Sequence, residues 1–90
     1  MNHVMSQEQK REKEIEVSDL QWLMDQPKGR RFMWRLLGLC ELYVATFSPD
    51  ALYTAFRDGK RILGTTLMGE IHATCFNQYL LMMEENKDNG

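Results

Sequence analysis

Cationic side chains in two short groups are the clearest chemical feature of this 90-residue sequence. The first group is Lys28, Arg30, Arg31 and Arg35, and the second is Arg57, Lys60 and Arg61. Arginines beside the free N–H groups of a helix N-terminus bind phosphate or carboxylate well. The two groups therefore indicate either an anion-binding site or ion pairs with carboxylates of the same chain.

Ion pairs inside the fold are our first interpretation of these groups, ahead of carboxylates on a partner protein and of nucleic-acid phosphates. Candidate internal partners are Asp19, Asp25, Asp58 and Glu70. A cation in the first turn of a helix is disfavoured by about 0.3 to 1 kcal/mol, so the stretch DQPKGRRF needs a compensating anion. We expect one of Arg30 and Arg31 to pair internally, with Asp19 or Glu70, and the other to contact a partner.

Residues that could perform catalysis or bind a metal are few. His72 and Cys75 are three residues apart and would share a helix face, but a zinc site needs about four ligands. No local motif pairs either cysteine with a histidine as nucleophile and base, and DGKRILG lacks the earlier glycine that a phosphate-binding loop requires. We predict a protein that is not an enzyme and that binds no metal and no cofactor.

Charge and composition narrow the class of protein further. Lysine and arginine total 11 against 13 acidic residues, a balance that argues against a surface built to attract nucleic acid. The sequence contains two cysteines, Cys40 and Cys75, and no visible signal peptide. We therefore predict that both thiols are buried and remain reduced in a cytoplasm. The apolar runs are too short to span a membrane, and no targeting segment is visible.

The elements that position these residues form one domain, since 90 residues are too few for two. We place this domain at residues 17–85, between a polar charged arm (1–16) and a polar tail (86–90). The arm sequence SQEQKREKEIE has no apolar stripe and is either a solvent-exposed helix or a disordered segment. We favour a mobile arm.

Capping signals predict where the helices begin. Ser18 and Gln21 form a capping-box pattern, and Val17 and Trp22 have the spacing of a hydrophobic staple. This first helix would direct Leu20, Leu23 and Met24 to the core and end at Gln26, because Pro27 disfavours helical geometry in the residue before it.

Helical periodicity predicts two or three further helices and no strand, hence an all-α bundle of three or four helices. The second helix would run from Lys28 or Gly29 to about Tyr43 and bury Phe32, Met33, Leu36, Leu37, Cys40, Tyr43, Val44 and Phe47. The third would start at Ser48 and Pro49 and bury Leu52, Phe56, Gly59, Leu63, Leu67 and Ile71. Phe76, Tyr79, Leu80 and Met83 mark the last stripe, and whether the third helix continues into it stays open.

Trp34 lies off the apolar stripe of the second helix, and it is the aromatic residue that we expect to anchor a partner. The sequence also contains seven methionines, whose adaptable side chains suit an interaction surface as well as an irregular core. An interface with a partner or with further copies of the chain is therefore a further hypothesis.

Three stretches resemble a family of small proteins encoded by tailed bacteriophages, named after a short-tailed Bordetella phage protein. They are DLQWLMDQPKGRRFMWRLLGLCELY, FRDGKRILGTTLMGEI and YLLMMEE, within residues 19–85. The motifs that carry the resemblance are GRRF, WRLL and GKR, which correspond to Gly29 to Phe32, Trp34 to Leu37 and Gly59 to Arg61. We associate the family with a proline before the closing tyrosine segment, whereas HATCFNQY has none.

The resemblance implies a phage protein encoded among genes for particle assembly, and it implies no assigned enzymatic activity. We therefore predict a non-enzymatic particle component or assembly accessory that binds a head, portal or ejection protein, or further copies of itself. The alternative is a small nucleic-acid-binding or DNA-packaging accessory that uses both basic groups. Either role would place the protein in the virion or in the host cytoplasm.

Overall fold

Four helices make up the described part of the chain. The computed structural model describes residues 4–41 and 50–88, and within them it contains no strand. The helices are α1 (Gln7–Met24), α2 (Pro27–Leu39), α3 (Ala51–Thr74) and α4 (Phe76–Asn86). The prediction of a small all-α bundle is confirmed, in its four-helix form.

The N-cap of the first helix is Ser6, twelve residues before the predicted N-cap Ser18. The Ser6 Oγ accepts a hydrogen bond from the Gln9 N–H at 3.2 Å, and the Gln9 Oε1 accepts one from the Ser6 N–H at 2.9 Å. The same S-x-x-Q pattern thus occurs twice, and the earlier copy caps the helix. Residues 7–16, which we interpreted as a mobile arm, form the exposed first half of α1.

The junction between α1 and α2 follows the predicted logic of Pro27 and Gly29. Pro27 is the first residue of α2, where its missing N–H costs nothing. Gly29 packs against the last turn of α1 so closely that an added Cβ would lie only 1.9 Å from the Leu23 carbonyl oxygen. The two helices therefore meet at a separation that only glycine permits at this position.

The second helix ends at Leu39, earlier than predicted, and Glu41 has a positive φ of 55° just beyond it. Met33, Leu37 and Cys40 are buried as expected. Phe32 was wrongly placed in the core, since 48% of its surface is exposed. The remaining predicted core positions of this stripe, Tyr43, Val44 and Phe47, lie outside the described residues.

The third helix is capped by Asp50, whose Oδ1 accepts from the Leu52 and Tyr53 N–H groups at 3.0 and 3.2 Å. Ser48 and Pro49, the predicted start, lie outside the described residues. The predicted stripe is wrong in the first half of α3, where Leu52, Phe56, Gly59 and Leu63 are all exposed. In the second half the prediction holds, since Ile71 is fully buried and Leu67 packs against the core. Arg57 and Gly64 are also buried, and together with Ile71 they are spaced by two helical turns along one face.

Cys75 separates α3 from α4, which answers the question that the sequence left open. Its φ of −148° and ψ of 54° are not helical, so a new helix starts without a proline. The Thr74 hydroxyl donates to the Glu70 carbonyl oxygen at 2.7 Å and does not cap α4. After this break, α4 contacts both α3 and α2.

The core gathers one or two side chains from each helix. Its buried members are Met24, Met33, Leu37, Ile71, Cys75 and Met82. Cys40 and Cys75 are both buried and reduced, as predicted. In the described residues, no helix combines the length and hydropathy needed to cross a membrane.

Candidate functional site

Arg30, in the first turn of α2, is buried with only 6% of its surface exposed. Its Nε donates to the Glu85 Oε1 at 2.8 Å and its Nη2 donates to the Glu85 Oε2 at 2.9 Å. Its Nη1 donates to the Met24 carbonyl oxygen at 2.9 Å. One guanidinium therefore connects the end of α1, the start of α2 and the end of α4.

This geometry explains the positive charge at the start of a helix. The hydrogen bonds from Arg30, aided by its charge and that of Arg31, lower the pKa of Glu85, and the same bonds raise the pKa of Arg30. A two-pronged contact of this kind is the strongest form of arginine–carboxylate pairing. The prediction of an internal partner was right for Arg30, but Asp19 and Glu70 were the wrong partners.

Two further hydrogen bonds fix the same junction. The Gln78 Nε2 donates to the Asp25 Oδ1 at 2.8 Å, which ties α4 to the residue that ends α1. The Gln21 Nε2 donates to the Thr74 carbonyl oxygen at 2.9 Å, which ties α1 to the end of α3. The α1–α2 junction is thus held from the side that faces the bundle.

The opposite side of the junction is an open groove of about 590 Å³. It is lined by Trp22, Leu23, Gln26, Pro27, Lys28, Gly29, Arg31 and Phe32. Trp22 is 66% exposed, although the sequence suggested that it packs on Val17 as a staple. We call this surface the junction groove. No acidic side chain belongs to its lining.

Arg35 extends the cationic edge of the junction groove. Its guanidinium carbon lies 5.5 Å from the centroid of the Phe32 ring, a distance at which the ring face attracts a cation. Lys28, Arg31 and Arg35 are all exposed. The structure therefore separates Arg30, which pairs internally, from the other cations of the first group, which line or border the junction groove.

Trp34, the predicted anchor, is half-buried and packs against the core cluster. The exposed aromatic residues of this region are Trp22 and Phe32, which sequence reasoning assigned to a staple and to the core. A signal for Trp22 was present, because it lies off the stripe formed by Leu20, Leu23 and Met24, as Trp34 does on its own helix.

The second basic group is largely engaged within the chain. Arg57 is 4% exposed, and its Nε donates to the Glu41 Oε2 at 3.2 Å. The Lys60 Nζ lies 3.5 Å from the other oxygen of Glu41. Arg61 is exposed. The acidic partner of Arg57 is Glu41 and not Asp58, which was a predicted partner. The arrangement is an ion-pair cluster between the end of α2 and α3.

The groups considered for catalysis do not assemble a reactive centre. Burial raises the pKa of the Cys75 thiol, which disfavours the nucleophilic thiolate. The His72 ring instead contacts the Tyr79 ring, with centroids 4.3 Å apart. In residues 4–41 and 50–88, no cluster of three or more His, Cys, Asp or Glu side chains is arranged to hold a metal ion.

Fold and site together define a small all-α protein with a buried arginine clamp and a cationic, aromatic groove. The family model described as "Bbp19-like phage protein" matches residues 20–84. The chain therefore belongs to the Bbp19-like phage protein family, as its GRRF, WRLL and GKR motifs predicted. No curated protein and no solved structure matches it significantly.

Proposed function

We propose that this phage protein is a non-enzymatic component of the particle, or an accessory of its assembly, that binds a larger head, portal or ejection protein. The observation that carries the proposal is the exposure of large apolar side chains. In the described residues, more of them are exposed than buried. Two of them, Trp22 and Phe32, lie in one groove, and a contiguous exposed apolar patch is typical of an interaction surface.

The kinds of side chain on this surface support a protein partner. Trp22, Phe32 and Phe56 are exposed by 66%, 48% and 62%, and arginines or a lysine lie beside two of these rings. Aromatic residues and arginine are the types enriched in protein–protein interfaces and in their energetic hot spots. Binding a partner would also supply apolar burial that a 90-residue chain lacks on its own.

Self-association belongs to the same proposal. Phage particles repeat their components around symmetry axes, and a repeated copy would bury surface in the same way as a different partner. We propose the virion or the host cytoplasm as the location, according to whether the protein stays in the particle or acts only during assembly.

Nucleic-acid binding is the weaker alternative. Arg30, Arg57 and Lys60 already contact carboxylates of the chain, so they are not available to neutralise phosphates without losing those contacts. The formal net charge is −2, which does not attract a polyanion to the protein as a whole.

Purification of an affinity-tagged form from infected cells, with mass spectrometry of its associated proteins and of washed particles, tests the proposal. We expect a head, portal or ejection protein to co-purify in a fixed ratio. The protein itself appears in washed particles if it is a component and only in the lysate if it is an accessory.

Two results would contradict the proposal. One is that no phage structural protein co-purifies and washed particles lack the protein. The other is retention of DNA that falls steeply with added salt, with no protein partner, which would favour the alternative.

A further inference from the structure

We infer that the junction groove binds an acidic segment of a partner protein, with a large apolar side chain of that segment inserted between Trp22 and Phe32. The inference rests on the proposed function and names the chemistry of the partner. It draws on the shape of the groove, on the charges around it and on the way its base is fixed.

The shape of the groove suits a single side-chain anchor. Its volume of about 590 Å³ lies within the range of about 300 to 1,000 Å³ in which proteins bind drug-sized ligands. Trp22, Phe32, Leu23 and Pro27 supply apolar lining. One or two large apolar side chains fit such a volume, whereas a whole helix does not.

The charges around the groove determine the sign of its occupant. Lys28 and Arg31 belong to the lining, and the Arg35 guanidinium lies over the Phe32 ring. No acidic side chain is part of the lining, and Glu85, on which the charge of Arg31 also acts, is already paired with Arg30. Carboxylates that flank an apolar anchor would therefore meet cations on the groove edge, and charge complementarity selects an acidic segment.

A short acidic segment fits better than a nucleic acid. Apart from Lys28, Arg31 and Arg35, the chain contains 8 lysines and arginines against 13 acidic residues. A long polyanion would extend over that acidic surface and be repelled, whereas a segment of a few residues contacts only the groove. If nucleic-acid bases stack on Trp22 and Phe32 instead, the crosslinking experiment described below will give an adduct with DNA.

The contacts that fix the start of α2 do not involve the exposed cations and aromatic rings of the groove. Arg30 and Glu85 fix the start of α2 from the bundle side, and Gly29 sets its distance from α1. Arg31 and Phe32 follow directly in sequence but lie on the exposed side. The GRRF motif thus divides into a structural pair and a binding pair, and a preformed groove reduces the ordering cost of binding.

Photocrosslinking during infection tests the inference. The substitution Phe32→p-benzoylphenylalanine places a photoreactive group in the groove, and Phe56→p-benzoylphenylalanine places one on the exposed surface of α3, outside the groove. We expect the position-32 adduct to contain a peptide of a different phage protein that carries clustered Asp or Glu beside a large apolar residue. Arg31→Gln should reduce this adduct about tenfold, while Arg61→Gln leaves it unchanged.

Each other outcome has a defined meaning. An adduct with DNA, an adduct with a second copy of the chain, an adduct insensitive to Arg31→Gln, or no adduct at position 32 overturns the inference. If position 32 gives no protein adduct but position 56 gives one with a structural protein, the groove assignment fails and the proposed function stands. If neither position reacts and particles lack the protein, both fail. Circular dichroism of each variant verifies that it is folded.

Discussion

Arg30 and Glu85, 55 residues apart in sequence, form a two-pronged ion pair at 2.8 and 2.9 Å across the bundle. The pair lies beside the close approach of α2 to α1 at Gly29 and Leu23. Together these contacts fix the angle at which α2 leaves α1. The positions of the exposed Arg31 and Phe32 depend on this junction. The shape of the groove therefore depends on the Arg30–Glu85 ion pair, which we call the clamp.

Removing the guanidinium of Arg30 should destabilise the protein strongly. Arg30→Met removes two charge-assisted hydrogen bonds to the partly exposed Glu85 carboxylate and deprives the buried Met24 carbonyl of a donor. We expect a loss of about 2 kcal/mol in the free energy of unfolding. Arg31→Met, one residue away and exposed, should change it by less than about 0.5 kcal/mol. Urea denaturation followed by circular dichroism measures both, and equal losses would contradict the assignment.

The stability of the protein should decrease in acid because of Glu85. Its pKa is lower in the folded state, so the unfolded state binds more protons in the window between the two pKa values, and stability rises with pH there. The contribution is complete above about pH 4.3, the ordinary value for glutamate, and is lost as the pH falls through the folded pKa.

Glu85→Gln should flatten this part of the stability profile, since the variant has no carboxylate to titrate. Glu84→Gln, which removes an exposed neighbour, is the control and should keep the wild-type slope. Denaturant midpoints measured between pH 2.5 and 6 provide the comparison. A Glu85→Gln profile parallel to that of the wild type would rule out the clamp as a source of acid sensitivity.

A methyl group at position 29 should open the α1–α2 junction. In Gly29→Ala the Cβ would lie 1.9 Å from the Leu23 carbonyl oxygen and 2.8 Å from its carbon, so the backbone must shift, at a cost of about 3 kcal/mol. Gly59→Ala is the control, because nothing lies within 4 Å of its added Cβ and alanine favours the helix by about 0.8 to 1 kcal/mol. Thermal unfolding should show shifts of opposite sign.

The cluster around Glu41 should depend on Arg57 more than on Lys60. Arg57 is buried, and its loss in Arg57→Met leaves Glu41 with only the longer contact to Lys60, so we expect a cost of about 2 kcal/mol. Lys60→Met removes a partly exposed partner at 3.5 Å and should cost less than about 1 kcal/mol. Similar costs for both variants would show that burial does not set the strength of this cluster.

Local signals in the sequence predicted the fold class well. Pro27 and Gly29 predicted the junction, the periodicity from Met33 to Cys40 predicted the buried face of α2, and both buried cysteines were expected. These features depend on backbone restriction and helical period, which neighbouring residues determine. The family motifs also predicted the family that the comparison then assigned.

Long-range packing determined what the sequence could not predict. The S-x-x-Q pattern occurs at Ser6 and at Ser18, and no helix breaker lies between them. Local sequence signals therefore could not show which of the two serines caps the helix. The buried face of α3 was predicted wrongly in its first half, because long-range packing also determines that face. Arg57 occupies a core-facing position because Glu41 neutralises it, while apolar residues such as Phe56 remain exposed.

The candidate site was predicted in part. The sequence identified both basic groups, but only the approach of α4 shows that Arg30 is internal and that Glu85 is its partner. Trp22 and Phe32 were missed as a pair, since their proximity depends on the angle between α1 and α2.

Arg30 stabilises the fold through Glu85, and we propose that Arg31 binds a phage structural protein. The most direct test measures two quantities for Arg31→Gln, its free energy of unfolding and its recovery of head, portal or ejection protein from infected cells, with Arg61→Gln as the control. We predict unchanged stability and about tenfold lower recovery for Arg31→Gln alone. Wild-type recovery by Arg31→Gln, or recovery lost only in proportion to lost stability, would contradict the claim.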